Sequence, residues 1–140
     1  MNTSKENILY FAWIVSLAGM LGSLFFSNVL NFPPCVLCWY QRILLYPLVV
    51  IIGVGILRKD RLLHLYVLPL SIIGLIISAY HNLLYYSILP ESAAPCIAGI
   101  SCTTKYINYF GFITIPLLSL VAFILITVSM LLYKKTNNHE

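Results

Sequence analysis

Four apolar runs, each long enough to cross a lipid bilayer, leave this chain few ways to fold. Ile8 to Leu30 carries no formal charge, and at about 1.5 Å per helical residue it can cross a hydrocarbon core of roughly 30 Å. Trp39 to Leu57 is apolar apart from Gln41 and Arg42, Leu62 to Tyr86 adds only His64 and His81 to its tyrosines as ionisable groups, and Phe110 to Tyr133 is again uncharged. With 61% of its residues hydrophobic, 9% charged and a mean hydropathy of +0.94, the chain lies far outside the range of a soluble globular domain. The expected fold is an all-α integral membrane protein. Residues 1–140 should form one domain, a four-transmembrane-helix bundle with spans at about 8–30, 39–57, 62–86 and 110–133. A cleaved signal peptide is the competing reading of the first run, but its apolar region is usually about 7 to 15 residues, and no small-x-small site follows here.

Polar punctuation separates the runs. Pro33-Pro34 fixes φ and removes amide donors, so the chain should break there and place Cys35 and Cys38 in a short stiff loop, 31–38, or at the next helix start. Pro47 is expected to kink the second span without ending it. Arg58-Lys59-Asp60-Arg61 is a tight connector, Ser87 to Tyr109 an exposed loop rich in turn residues, and Lys134 to Glu140 a short polar tail. Cytoplasmic loops retain lysine and arginine. One side of the bundle holds Lys5, Arg58, Lys59, Arg61, Lys134 and Lys135, and the other only Arg42 and Lys105, so both termini are expected in the cytoplasm. The net charge of +4 is thus explained by topology beside membrane lipid, and no nucleic-acid partner is expected.

The same count puts both cysteine pairs on the outer, oxidising face. Cys35-Val36-Leu37-Cys38 can close a small disulfide or chelate a metal, so its spacing alone leaves the chemistry open. It lies between two apolar spans, without the β-α-β pattern of a thioredoxin fold. Cys96 and Cys102 sit in the 87–109 loop, with Pro95 before them and Gly99 between, where the backbone can bend enough to join them. This exposed pair is approachable by another protein, whereas Cys35 and Cys38 lie against the bilayer. Disulfides exchange through mixed-disulfide intermediates, so two pairs on one face can pass two electrons in series. There is no Gly-x-Gly-x-x-Gly stretch to hold a nucleotide, and the expected acceptor is a lipid-soluble molecule in the membrane.

Two further residues are candidates for the acceptor site. Arg42 stands one helical turn beyond Cys38, and a guanidinium inside a span needs a reason to be there. It can snorkel to lipid headgroups, or it can bond a quinone carbonyl and favour the thiolate of Cys38. His81, about a turn and a half inside the outer end of the third span, can be a buried structural histidine or can share a pocket with Arg42 in the same leaflet. His64, beside the basic connector, reads as interfacial and structural.

The motif Cys35-Val36-Leu37-Cys38-Trp39-Tyr40-Gln41-Arg42 after the first span, the later loop pair and the four spans together resemble the DsbB family of quinone-dependent disulfide-generating membrane oxidases, above all its Bacillus-type branch, BdbC. The resemblance covers essentially the whole chain. It implies that Cys96 forms a mixed disulfide with an extracytoplasmic thioredoxin-like thiol oxidase of the DsbA or BdbD kind, releasing Cys102 to attack Cys35, and that Cys38 reduces menaquinone or ubiquinone. It also implies that Arg42, through the motif, and His81, through its place in the third span, contact that quinone, and that the protein sits in a bacterial cytoplasmic membrane. No metal is expected. Three other readings differ in a specific feature. A vitamin K epoxide reductase-like enzyme carries its loop pair before the Cys-x-x-Cys pair, the reverse of the order here. A metal-delivery protein would hold a soft ion on four thiolates, favoured on a reducing face and by methionine or histidine clusters that these loops lack. A structural tetraspan protein would keep two static disulfides.

Overall fold

The computed structural model describes residues 3–29, 31, 36–86, 88, 90 and 115–139. Their regular structure is helical, in the order α1 (Thr3–Asn28), α2 (Val36–Arg58), α3 (Leu63–Tyr85) and α4 (Ile115–Asn138). All four are long and apolar enough to cross a membrane. Each helix packs against its neighbours in sequence, and α1 closes the ring against α4, so the arrangement is a four-helix bundle.

The core lies on the inward stripes of the helices. Leu9 and Ala12 of α1, Leu45, Leu48 and Ile52 of α2, Leu63 and Val67 of α3, and Phe123, Ile126, Met130 and Tyr133 of α4 form one buried cluster. The outward faces are equally apolar, with Phe11, Ile14, Ile43, Val50, Leu57 and Ile76 exposed, as lipid rather than water requires. Buried serines do not break this scheme. Ser16, Ser71 and Ser78 each donate to the carbonyl three residues earlier in their own helix. At Gly74 a missing side chain decides the packing, because a Cβ there would overlap the ring of Phe123.

The turn between α2 and α3 is closed by a Schellman motif. Lys59 adopts φ 54°, its N–H donates to Ile56 O at 3.3 Å, and the Asp60 N–H donates to Gly55 O at 3.1 Å. Asp60 Oδ1 then accepts from the Leu62 N–H at 2.8 Å and launches α3. Helix α4 reaches over this turn: Tyr133 Oη donates to Asp60 O at 2.9 Å, and Asn137 Nδ2 donates to Arg61 O at 3.2 Å. Lys5 at the start of α1 donates to Asn137 Oδ1 at 3.4 Å and is buried. These ties explain two departures from the sequence expectation. Residues 134–138, read as a polar tail, continue α4, and α1 begins at Thr3, ahead of the apolar run.

Helix α2 begins at Val36, so of the two places expected for Cys38, the 31–38 loop or the next helix start, it takes the helix start. The helix passes through Pro47, and α3 passes through Pro69. Cys35, Cys96, Cys102 and Lys105 lie outside the described residues, as does nearly all of the 87–109 loop.

Candidate functional site

The site is built on one helical stripe. Residues three and four apart share a helix face, so Cys38, Gln41 and Arg42 are successive neighbours along α2. Cys38 is half-buried and packs with Ile77 and Tyr80 against buried Leu37 and Leu84, which makes its surroundings an apolar seam between α2 and α3.

One turn further in, the two sides of the stripe diverge. Gln41 turns toward α3, where its side-chain nitrogen lies 3.1 Å from His81 Nδ1. Both residues are deeply buried, at 7% and 2% exposure. Arg42 turns toward α1: its Nη2 donates to Ser23 O at 3.0 Å and to Ser27 Oγ, and its guanidinium lies 5.8 Å from the centre of the Trp39 ring. A second Arg42 nitrogen, Nε, is buried without a hydrogen-bond partner.

Arg42 and His81 therefore meet different partners. The contacts of Arg42 run to α1 and the Gln41–His81 contact joins α2 to α3, in place of one pocket lined by Arg42 and His81 together. Asn82 extends the polar layer to α4, since its Nδ2 donates to Ser78 O and to Pro116 O, both at 2.8 Å, while its Oδ1 is buried without a partner. The same Pro116 carbonyl also accepts from Ser119 Oγ at 2.8 Å, and Pro116 itself lies in the first described turn of α4, where its missing N–H costs nothing. His64 belongs elsewhere. It sits at the connector end, buried rather than interfacial, with its ring 6.3 Å from that of Tyr133.

Sequence reasoning passed over Gln41, Asn82 and the serines that hold Arg42. A readable signal existed for the first, a buried-type amide three residues after Cys38 in an otherwise apolar span. For Asn82 the signal was its adjacency to His81.

Chemically, this arrangement joins a sulfur in an apolar seam to a layer of donors that includes a guanidinium and an imidazole. Among the described residues, no group of three or more histidine, cysteine or acidic side chains could hold a metal ion.

The comparisons with known proteins agree on one family. The model of the family "Disulfide bond formation protein DsbB" matches residues 5–133. Disulfide bond formation protein C of Bacillus subtilis is 52% identical over 126 residues, covering 90% of this chain and 91% of that protein. The probable disulfide formation protein of Oceanobacillus iheyensis is 48% identical over 133 residues, covering 94% and 92% of the two chains. The probable disulfide formation protein C of Halalkalibacterium halodurans is 44% identical over 132 residues, covering 94% and 96%. No solved structure matches this chain.

Proposed function

From its membership of the DsbB family of disulfide bond formation proteins, to which this chain belongs, we propose that it is a thiol:quinone oxidoreductase of the bacterial cytoplasmic membrane. Both termini face the cytoplasm and both cysteine pairs face outward. The substrate on that outer side is the dithiol of a thioredoxin-like thiol oxidase of the DsbA or BdbD kind.

Exchange runs through the two pairs in order. A partner thiolate attacks Cys96 of the Cys96–Cys102 disulfide, and the second partner thiol resolves the mixed disulfide, so the partner leaves oxidised and Cys96 and Cys102 hold its two electrons and two protons. Cys102 then attacks Cys35 of the Cys35–Cys38 disulfide and releases Cys38, and Cys96 attacks Cys102 to resolve the Cys35–Cys102 bond, which restores the outer pair and leaves Cys35 and Cys38 as thiols. Their two electrons and two protons pass on into the membrane, and the Cys35–Cys38 disulfide forms again.

Arg42 and His81 would hold a quinone beside Cys38. The residues fit such a group, because the seam of Leu37, Ile77, Tyr80 and Leu84 suits a flat apolar ring and the buried, unpartnered Arg42 Nε is a donor suited to a carbonyl. When bound, a quinone supplies a two-electron, two-proton acceptor at that position. Arg42 would orient it and offset negative charge on it, and Ser23 and Ser27 hold the guanidinium in place.

The observation that carries this reading is the common stripe of Cys38, Gln41 and Arg42, with His81 tied to it. The test is quinone reduction, followed by absorbance, by the purified full chain supplied with a reduced thioredoxin-like oxidase. Turnover should vanish in Cys38→Ser. Unchanged turnover in that variant would refute the assignment.

A further inference from the structure

The contact between Gln41 and His81 couples the orientation of the amide to the tautomer of the ring. The Gln41 atom facing the ring is its amide nitrogen, 3.1 Å from His81 Nδ1. An amide nitrogen only donates, so with the amide in this orientation Nδ1 accepts. A neutral imidazole that accepts at Nδ1 has its proton on Nε2.

We propose that Gln41 is a positioning residue for the electron-accepting step: it holds His81 as the neutral Nε2–H tautomer, so that the ring acts there as a hydrogen-bond donor. The donor role rests on the quinone reading given above, whereas the tautomer does not.

An amide suits this task and a carboxylate does not. A glutamate at position 41 would accept from Nδ1–H, and so would demand either the opposite tautomer or a charged ring. Burial makes the choice consequential, because at 7% and 2% exposure neither side chain has ready access to water as a substitute partner. Glu6 and Asp60 lie at the opposite end of the bundle, α2, α3 and α4 contain no acidic residue, and Arg42 on the same stripe is engaged with α1. Asn82, the adjacent polar side chain on α3, is turned to α4 through the Pro116 carbonyl. Residues acting through an oriented histidine have measurable effects, since the group on one ring nitrogen fixes the role of the other.

The experiment uses the full chain, labelled with ¹⁵N-histidine and solubilised in detergent, with long-range proton–nitrogen correlations of the rings. His81→Asn assigns the His81 signals among the three histidines. Gln41→Leu removes the donor, and Gln41→Glu keeps the side chain's size while reversing its polarity. The wild type should show His81 protonated at Nε2 only. Gln41→Leu should show both tautomers, and Gln41→Glu should place a proton on Nδ1. In parallel, kcat for quinone reduction should fall about tenfold in Gln41→Leu, with KM for the thiol partner unchanged. The double variant with His81→Asn should be no slower than His81→Asn alone. A proton on Nδ1 in the wild type, the same tautomer in both Gln41 variants, or losses that multiply in the double variant would overturn the proposal. A wild type that holds the Nε2–H tautomer yet reduces no quinone would instead sink the functional reading and leave Gln41's hold on the ring standing.

Discussion

Arg42 of α2 donates through Nη2 to the carbonyl oxygen of Ser23 in α1, at 3.0 Å. That carbonyl lies inside α1, one turn before Ser27, and a carbonyl oxygen has two lone pairs, so it can accept from the cation beside its own helical bond. The guanidinium is thereby kept at the stripe shared with Cys38, where free snorkelling to headgroups would carry it away.

Arg42→Lys keeps the charge but not the fork, and one ammonium cannot serve Ser23, Ser27 and the Trp39 face together. The KM for a short-chain quinone should rise about tenfold in Arg42→Lys and about threefold in Ser27→Ala, with a smaller change in kcat. Steady-state kinetics at saturating thiol partner check this. Equal KM values in all three proteins would remove Arg42 from the acceptor site.

Close approach of α3 and α4 depends on Gly74 beneath Phe123. Gly74→Val should lower stability by about 1–3 kcal/mol through overpacking, seen as a lower Tm in detergent. Phe123→Ala in the same chain should recover part of that loss. No interaction between the two substitutions would mean that the helices do not meet there.

At the other end, Tyr133→Phe leaves the Asp60 carbonyl without its 2.9 Å donor. A cost of about 1 kcal/mol is expected, again as a lower Tm, while KM for quinone stays at the wild-type value. A kinetic effect without a thermal one would contradict the separation of a structural end from a chemical end.

Orientation can be read with a membrane-impermeant maleimide on intact cells, in a background with the four native cysteines replaced. Ser92→Cys should label from outside, and Asn138→Cys should label only after the membrane is opened. The reverse pattern would invert the topology drawn from the basic residues.

The helices were legible because lipid imposes a length and a polarity that few sequences meet by accident. Ile8 to Leu30 or Phe110 to Tyr133 admits little else. Helix ends were less legible. Lys5 and Asn137 look like solvated polar residues until the bundle brings them together, and only then does α4 have a reason to run to Asn138. Cys38, Arg42 and His81 stood out by residue type. Their partners did not, because the register of α2 against α3 sets the Gln41–His81 pair across 40 positions of sequence, and the register against α1 sends Arg42 to Ser23 and Ser27. Those registers follow from how side chains interlock, which no single run of residues encodes.

Because Cys38 belongs to the first turn of α2, its sulfur is mounted on the same rod as Gln41 and Arg42. The rise of an α-helix, about 1.5 Å per residue, then acts as a ruler between the sulfur and the two polar groups. Whatever disulfide that sulfur enters, the ruler does not change length. The spacing of Cys38 from Gln41 and Arg42 thus keeps a constant gauge, whatever reaches the sulfur from beyond the helix.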